Sequence, residues 1–571
     1  MKSWHGNNPL WQPLFVPVLL VTVILAVYYP ALLSGIHPID DPGICTFYSS
    51  SPPLSDIILP GHAFYYRPVV GLSYYFDNLL WGMDPSTMHL ENILLHCANT
   101  LLVYLLARRI YCDDETQVIP LLAALLFALH PVNVEAVAWI AGRTDPLLAL
   151  FVLSASYCWL RWLGKPRWQD FIATLLFFGV ALLTKETALA FGLVALLLAL
   201  TWLGAATKRQ RLKAVCVIIA PGVLLVVFAL LFRGGSNGIS RFMSGVDLHL
   251  AQGIWQALIA FGFYFKKLIF PFPLNFAINT VHPLYGLLGV SIFPALWLVL
   301  RRYRLPGILF ITAALLMLPA IVVAVNQIAW TPLAERYLYL PTAFLVLGLV
   351  GIWNSWRRKY STIRVSFLVI LLCGLALSSF QRNLLWKDSL SFFNDAVAKS
   401  PEFGSVYYSL GGELIKNGEI DRAAEAFATA DRLNKRVSMR YPIKASIMGT
   451  MLAKGELIEA RAYFFQLFIK KLDAPTNFIE LLYKADNKRL ETIENKGKVL
   501  LVNDLIETLE ILYLKNQDPF WLYRSGQISL VTGNTNKAAD FFRRAYLSAP
   551  VDSHYKDAAK TYYLRLEAGK L

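Results

Sequence analysis

The sequence predicts an all-α protein in two parts: a polytopic membrane bundle of about eleven transmembrane helices, followed by an α-solenoid of helical repeats. Three observations predict this fold class. Hydrophobic residues make up 56% of the chain and charged residues only 16%, which excludes an ordinary soluble enzyme. Long apolar runs recur over the first 380 residues, and small and aromatic residues recur at fixed spacing in the remainder.

The apolar runs define the candidate membrane spans. They lie at 14–33, 89–110, 118–130, 144–163, 170–183, 187–203, 214–232, 254–270, 283–300, 306–325, 337–354 and 363–380. The first run is long enough to cross a hydrocarbon core of ~30 Å, and no small-x-small cleavage site follows it. We therefore expect it to be a retained anchor.

The basic residues indicate the orientation of these spans. A formal charge of +15 is compatible with nucleic-acid binding, but the lysines and arginines cluster beside apolar runs, at 165–167, 208–213, 301–304 and 357–359. That distribution is typical of cytoplasmic loops, so no nucleic-acid partner is expected. All basic patches lie on the cytoplasmic side if the segment 254–270 lies in the membrane interface or forms a re-entrant segment. This topology has eleven spans, and it places the chain after residue 380 on the outer face.

The tail has a different composition and an internal repeat. From Gly411, residues Gly418, Ala423, Phe427 and Ala430 follow at offsets of 7, 12, 16 and 19, and Gly526, Gly533, Ala538, Phe542 and Ala545 reproduce the ladder. This is the tetratricopeptide pattern, in which small residues let paired helices approach and aromatics fill the groove between them. We predict a membrane domain at 1–382 and a repeat domain at 383–571. Such arrays bind partners or serve as scaffolding.

Ionisable residues are rare on the predicted outer side of the membrane part, and they occur in a few short motifs. They are Asp40, Asp41, Arg67, His130, Glu135, Arg143, Asp145, Lys185, Glu186, Lys266, Lys267, Glu335 and Arg336. Charged groups at membrane depth are energetically costly and often functional. Because these residues all lie on the same predicted side, we expect a functional site at the outer membrane surface.

Each of these motifs also has a structural interpretation. Asp40 and Asp41 precede Pro42 and Gly43, so the acidic pair is either part of a turn or a general base. Lys266 and Lys267 either bind an anionic ligand such as a lipid-linked phosphate, or extend to outer headgroups. The adjacent Lys185 and Glu186 either pair locally or line the site.

A polar stripe follows the second span. His89, Asn92, His96 and Asn99 recur at intervals of three and four, which places them on one helical face. For His96 and Asn99 hydrogen bonding between helices is the favoured interpretation. His89 lies at the outer edge, where it can reach a ligand.

The ordered motifs resemble a known family. The early acidic pair, "YRP", "HPVNVEAVAWIAGRTD", a mid-membrane "KE", "AERYLYLP" and "WKDSLSFFNDAVAKSP" before the repeats are similar to the transmembrane and tetratricopeptide-repeat O-mannosyltransferases and their bacterial relatives. These belong to the GT-C superfamily of polyprenyl-phosphate-sugar-dependent glycosyltransferases. The resemblance implies a GT-C fold, a catalytic acid pair matched by Asp40 and Asp41, and a second-loop glutamate matched by Glu135.

Together these observations predict an integral membrane glycosyltransferase. It would transfer a hexose, mannose-like, from a polyprenyl-phosphate donor to a hydroxyl of a protein or glycan on the outer face, with the solenoid presenting the acceptor. Predicted roles are then assigned as follows. Catalytic residues are Asp40, Asp41 and Glu135; donor-phosphate residues are Arg67, His130, Arg143, Lys185, Glu186, Lys266, Lys267 and Arg336; cavity residues are His89, Asp145 and Glu335.

The sequence also leads to expectations about the cofactor, the cellular location and the alternative functions. The donor is lipid-linked; a divalent metal, if one is needed, would lie on Asp40 and Asp41. The expected location is the cell inner membrane, with the repeats in the periplasm. Two alternatives stay open: a transporter or flippase with a cytoplasmic repeat domain, and a non-catalytic assembly scaffold.

Overall fold

The computed structural model describes residues 12–60, 66–111, 117–202, 222–227, 250–327, 329–355, 362–468, 470–492 and 498–569. In these ranges the regular structure is helical and no strand occurs, so the predicted all-α class is confirmed. The chain divides into two compact units, Met1–Ser400 and Pro401–Leu571. The division falls after Ser400 because the helix Ser389–Lys399 packs Phe392 and Phe393 against His37 of the first unit.

The first unit contains a long series of α-helices joined by short 3-10 turns. The α-helices are Gln12–Tyr28, Asp41–Ser49, Leu54–Ile58, Pro68–Trp81, Pro85–Ile110, Val118–Ala128, Val134–Ala138, Thr144–Gly164, Trp168–Thr184, Phe191–Trp202, Leu250–Ile269, Tyr285–Arg302, Arg304–Leu316, Leu318–Val325, Tyr339–Ser355, Thr362–Lys387 and Ser389–Lys399. The 3-10 turns are Tyr29–Leu33, Pro131–Asn133, Ala141–Arg143, Glu186–Ala190 and Glu335–Leu338.

Seven helices in the described ranges are long and apolar enough to cross a membrane. They are Phe15–Leu33, Pro85–Ile110, Ala141–Gly164, Tyr285–Arg302, Arg304–Val325, Glu335–Ser355 and Ile363–Lys387. Val118–Ala128 and Pro131–Ala138 meet at a bend of 47° and make an eighth if they form one span. These helices confirm a polytopic architecture, whereas the number eleven stays a prediction. The predicted run 214–232 and the basic patches 208–213 and 357–359 lie largely outside the described residues.

The polar stripe of the second span binds neighbouring helices together. Asn92 Nδ2 donates to the Trp139 carbonyl at 2.8 Å, and Asn99 Nδ2 donates to the Pro146 carbonyl at 2.8 Å. His96 lies 2.7 Å from the Tyr339 hydroxyl and 3.1 Å from the Ala128 carbonyl. The interhelical interpretation of His96 and Asn99 is thereby confirmed, since a buried polar group without a partner would be costly in an apolar bundle.

The second unit is a succession of helices, each packed on the next. The helices are Gly404–Lys416, Ile420–Leu433, Val437–Lys454, Leu457–Leu467, Thr476–Thr492, Lys498–Asn516, Phe520–Val531, Thr535–Ser548 and Lys556–Glu567, with a 3-10 turn at Lys471–Asp473. Neighbours in sequence are also neighbours in space along this series. The arrangement is that expected of a solenoid.

The glycine ladder corresponds to a recurring helix pair. Gly411 faces the Phe427 ring and Gly526 faces the Phe542 ring so closely that an added Cβ would lie 2.6 Å and 2.8 Å from ring carbons. Gly418 and Gly533 both adopt φ of +77° in the turn between the paired helices. The same backbone hydrogen bond, which spans five residues, closes the turn in both pairs. The Glu419 amide donates to the Leu414 carbonyl, and the Asn534 amide donates to the Ser529 carbonyl. This geometry supports the tetratricopeptide interpretation.

Candidate active site

The two adjacent aspartates have different surroundings. Asp41 is fully buried, and its two carboxylate oxygens accept backbone N–H bonds from His37 at 3.0 Å and from Ala141 at 3.0 Å. Asp40 precedes the helix that begins at Asp41, and its side chain is exposed. Within the described part of the chain, the Asp40 carboxylate forms no hydrogen bond or ion pair. Asp41 is therefore held by the backbone, whereas Asp40 is available to a reactant.

The surroundings raise the pKa of both aspartates, of Asp41 more than of Asp40. Loss of hydration raises the pKa of Asp41 to about 7, although the backbone N–H donors of His37 and Ala141 oppose this shift. Desolvation also raises the pKa of Asp40 above its usual value, and the positive charge of Arg336 partly offsets the increase. A carboxylate whose pKa lies above the ordinary range is a stronger base, as proton abstraction requires.

Arg336, whose charge acts on Asp40, is held in place by Glu135. Its Nη1 donates to Glu135 Oε1 at 2.6 Å, and the second Glu135 oxygen accepts the Glu335 amide at 3.1 Å. The guanidinium also lies 5.1 Å from the centroid of the Trp139 ring. Glu135 is 1% exposed. Glu135 therefore holds a cation in place, and it does not present a carboxylate to solvent.

A second buried ion pair lies next to the first. Lys267 Nζ and Glu335 Oε1 are 2.5 Å apart, and each side chain is 2% exposed. Glu335 Oε1 also accepts the Asn275 amide at 2.9 Å. Because Glu335 and Arg336 are consecutive, this pair fixes the start of the turn that carries Arg336. Lys267 and Glu335 thus stabilise the backbone next to Arg336 without being exposed themselves.

Two further pairs extend the cluster. Lys185 Nζ lies 2.6 Å from Asp145 Oδ1 and 5.1 Å from the centroid of the Tyr337 ring. Arg67 Nη2 lies 2.8 Å from Glu186 Oε2, and both side chains are partly exposed. The local pairing of Lys185 with Glu186 that the sequence left open is thus replaced by two long-range pairs. Arg67 and Arg336 are the partly exposed arginines of the cluster.

Two predicted phosphate ligands point elsewhere. Arg143 is 1% exposed, and its guanidinium is directed at Asp77, Asn92 and the Met88 carbonyl. The predicted phosphate contact of Arg143 is therefore wrong, because its N–H groups face protein between two helices.

His130 requires the same correction. Its Nε2 lies 3.0 Å from the Leu268 carbonyl, and its Nδ1 accepts the Val132 amide at 3.4 Å. Both ring nitrogens are used by the backbone, and the side chain is buried. His130 therefore joins the bent segment to the helix Leu250–Ile269, and the predicted phosphate contact is wrong.

The remaining predicted residues lie near the cluster with simpler contacts. His89 is buried with Nε2 3.4 Å from the Gly35 carbonyl, in the loop that leads to the acidic pair. Lys266 is partly exposed, donates to the Phe272 carbonyl and lies 5.2 Å from the Phe270 ring centroid. Their predicted roles in ligand binding stay predictions.

Sequence reasoning missed several residues that shape the site. Trp139 lies under Arg336, Tyr337 lies under Lys185, and Asp77 pairs with Arg143. The signal for Trp139 was present, because it lies in the motif that contains both Glu135 and Arg143. Asp77 had a weaker signal, as a lone acid in the apolar helix Pro68–Trp81.

The acidic pair does not resemble a metal site. Among the described residues, no group of three or more His, Cys, Asp or Glu side chains is placed to hold a metal ion. Both oxygens of Asp41 are already committed to backbone N–H donors, which compete with a cation. The residues present therefore do not favour the divalent metal that the sequence leaves open on Asp40 and Asp41, and no step is assigned to one.

The arrangement suits transfer to a hydroxyl with loss of an anion. One accessible carboxylate lies within electrostatic reach of Arg336, whose orientation is fixed by a buried acid. A base can take a proton from a nucleophilic hydroxyl while a nearby guanidinium stabilises negative charge on the departing group.

Comparisons with known proteins find similarity to protein mannosyltransferases. A model of the family described as dolichyl-phosphate-mannose-protein mannosyltransferase matches residues 74–232. The protein O-mannosyl-transferase Tmtc1 of Drosophila melanogaster is 26% identical over 463 residues, which cover 63% of this chain and 53% of the fly protein. The human protein O-mannosyl-transferase TMTC3 is 22% identical over 492 residues, covering 75% of this chain and 52% of its own length.

Higher identity is confined to shorter segments. The protein O-mannosyl-transferase Tmtc2 of Drosophila melanogaster is 37% identical over 206 residues, 34% of this chain and 21% of the fly protein. The chain spans about half the length of the first curated relatives it matches. The family match, the relatives and the order of the site motifs agree: the chain is similar to the protein O-mannosyl-transferases of the TMTC type.

Proposed function

We propose that this protein is an integral membrane glycosyltransferase that moves a hexose, mannose-like, from a polyprenyl-phosphate donor to a hydroxyl of a protein or glycan on the outer face of the membrane. The relatives are named protein O-mannosyl-transferases, and the matched family is described by a dolichyl-phosphate-mannose donor. In this proposal the second unit presents the acceptor. The expected location is the inner membrane, with residues 401–571 in the periplasm.

Asp40 is the proposed base. The acceptor oxygen attacks the anomeric carbon while its proton passes to the Asp40 carboxylate, and the bond from that carbon to the phosphate oxygen breaks. The polyprenyl phosphate leaves with the bonding electrons, and the configuration at the anomeric carbon is inverted. Hydroxyls are weak nucleophiles, so a positioned base contributes typically about 10²–10⁴-fold.

The cations would act on the departing phosphate. Arg336 and Arg67 are the arginines with accessible surface in the cluster, and Lys266 is also partly exposed. Lys185 and Lys267 are buried in ion pairs, so their charges stabilise the turn and the electrostatic field. Glu186 would keep Arg67 oriented rather than touch an anionic ligand.

The single observation that carries the proposal is the contrast between Asp40 and Asp41. Asp41 is fully buried and fixed by two backbone donors, whereas the neighbouring Asp40 is exposed and feels the charge of the fixed Arg336 guanidinium. A turn or capping pair does not require this contrast, and the Asp40 side chain makes no capping hydrogen bond to the helix.

The test is sugar transfer by membranes that contain the full-length protein. With a polyprenyl-phosphate hexose as donor, Asp40→Asn is expected to lower kcat by about 10³-fold, in the range for removal of a general base. The matched control is Asp56→Asn in the short helix Leu54–Ile58. The Asp56 carboxylate accepts a bond from the adjacent Ser55 hydroxyl, and this variant should transfer sugar normally. Undiminished transfer by Asp40→Asn would remove the proposed base.

A further inference from the structure

One short turn connects the proposed base to the fixed cation. The segment 139–143 places the Trp139 ring 5.1 Å from the Arg336 guanidinium. Two residues later, the Ala141 amide donates to Asp41 at 3.0 Å. The position of this turn therefore determines how far the acidic pair lies from Arg336.

The turn is held from two neighbouring helices, at positions on both sides of Ala141. The Trp139 carbonyl accepts from Asn92 Nδ2 at 2.8 Å, and the Ile140 carbonyl accepts from the Tyr74 hydroxyl at 3.1 Å. Asn92 Oδ1 accepts from Arg143 Nε at 2.9 Å. One Asn92 amide thus joins the beginning of the turn to its end.

Arg143 anchors the end of the turn to the same two helices. Its Nη1 lies 2.6 Å from Asp77 Oδ2, and its Nη2 donates to the Met88 carbonyl at 3.1 Å. The guanidinium also lies 4.9 Å from the centroid of the Tyr74 ring. A buried arginine with this many directed contacts fixes its own backbone, because the planar fork allows few alternative orientations.

The backbone of the turn leaves little space for relaxation. A Cβ at Gly142 would lie 2.8 Å from the Ala136 carbonyl oxygen and 2.9 Å from the Glu135 carbonyl oxygen. The turn is thus folded tightly against the short helix that carries Glu135. Glu135 and Ala141 are consequently parts of one compact segment.

We propose that Arg143 and Asn92 are positioning residues, which hold the turn 139–143 so that Asp41 keeps Asp40 at the right distance from Arg336. This inference rests on the proposed function, since the two residues act through Asp41 and the Asp40 base. Neither residue touches the substrates. A shift of about 1 Å at a reacting group can cost about 100-fold in rate, so the anchors matter for turnover.

The test compares two buried asparagines on one helix. Arg143→Gln and Asn92→Leu are expected to lower kcat by about 100-fold, while the KM for the donor changes by less than about twofold. Asn99→Leu is the matched control, because Asn99 lies on the same helix and bonds the Pro146 carbonyl and the Tyr339 hydroxyl instead of the turn 139–143. It should lower kcat by less than about threefold.

A conservative variant separates positioning from charge. Arg143→Lys can keep the contact with Asp77, but it cannot also hold Asn92, so kcat should recover only in part. The proposal is overturned if Asn99→Leu lowers kcat as much as Asn92→Leu. It is also overturned if Arg143→Gln raises the donor KM by about tenfold or more at unchanged kcat, which would indicate donor binding.

A second measurement does not depend on sugar transfer. Amide hydrogen exchange in the purified full-length protein reports the Ala141 bond to Asp41. The peptide 139–145 should exchange faster in Arg143→Gln, Asn92→Leu and Asp41→Asn than in the wild type and Asn99→Leu. Unchanged exchange in Arg143→Gln would sink the inference, whereas failure of the wild type to transfer sugar would concern only the proposed function.

Discussion

Glu135 and Arg336 are separated by 201 residues in the sequence, yet Glu135 Oε1 and Arg336 Nη1 are 2.6 Å apart. Glu135 is buried, whereas Arg336 keeps part of its surface accessible. The pair joins the short helix Val134–Ala138 to the turn Glu335–Leu338. A buried acid thereby orients an accessible cation whose charge lowers the pKa of Asp40.

Removing the charge of Glu135 should destabilise the first unit. In Glu135→Gln the Arg336 guanidinium loses its buried counter-charge, at an expected cost of about 3 kcal/mol. Thermal unfolding of the purified protein measures this cost. In the double variant Glu135→Gln with Arg336→Gln the loss should be smaller than the sum of the single losses, because the two residues interact directly. Strict additivity would contradict the pairing.

Replacing Arg336 should move the acid limb of the pH–rate profile. The positive charge of Arg336 lowers the pKa of Asp40, so Arg336→Gln leaves that pKa still further above its ordinary value. A base must be deprotonated, so activity is lost as the pH falls through the pKa of Asp40. The acid limb of Arg336→Gln should therefore lie at higher pH than that of the wild type. A shift in the opposite direction would argue against Asp40 as the base.

Asp41 should make stability depend on pH. Its pKa is raised from 3.8 to about 7 by burial, so between these values the folded protein binds a proton that the unfolded chain lacks. Stability must then fall as the pH rises from about 4 to about 7, by up to about 4 kcal/mol. The Tm of the wild type should drop more between pH 5 and pH 8 than that of Asp41→Asn. Parallel drops in the two proteins would disprove the raised pKa.

Gly142 should tolerate no side chain. In Gly142→Ala the added Cβ meets two backbone carbonyl oxygens at under 3.0 Å, so the turn must shift, at a cost of about 1–3 kcal/mol. Gly43→Ala is the control, since Gly43 is helical and an added Cβ meets nothing within 4 Å. Thermal unfolding should show a loss for Gly142→Ala and no loss for Gly43→Ala. Equal stability of the two variants would contradict the tight turn.

Two adjacent glycines of the second unit should respond in opposite directions. Gly411→Ala places a Cβ against the Phe427 ring, which should cost about 1–3 kcal/mol. Gly412 faces open space in the same helix, so Gly412→Ala should stabilise it by about 1 kcal/mol through helix propensity. Proteolysis of residues 401–571 in the full-length protein reports both effects. Faster cleavage of Gly412→Ala than of Gly411→Ala would contradict the repeat packing.

Much of the architecture follows from local patterns in the sequence. Apolar runs of membrane-spanning length predict helices because the backbone must satisfy its own hydrogen bonds in lipid. The ladder from Gly411 to Ala430 predicts a close helix pair because only a small residue fits against an aromatic ring at that spacing. These signals depend on neighbours along the chain, so the amino-acid sequence alone carries them.

The site itself depended on tertiary structure. The sequence predicts that the charged residues on one side of the membrane form a cluster, and this cluster includes Asp40, Glu135, Lys267 and Arg336. The partners were not predictable, because an ion pair forms between whichever groups the packed helices bring within a few ångströms. For the same reason Arg143 was misassigned: its motif is next to Asp145, but its side chain turns towards Asp77.

By itself, the sequence determined a helical membrane protein with a repeat tail, a family resemblance and the acidic pair Asp40 and Asp41. Only the tertiary structure decided which aspartate is accessible. Asp41 is held because the Ala141 amide, 100 residues away, is brought to its carboxylate. The physical reason is that hydropathy and periodicity act along the chain, whereas burial and hydrogen bonding at a single carboxylate depend on segments that meet only after folding.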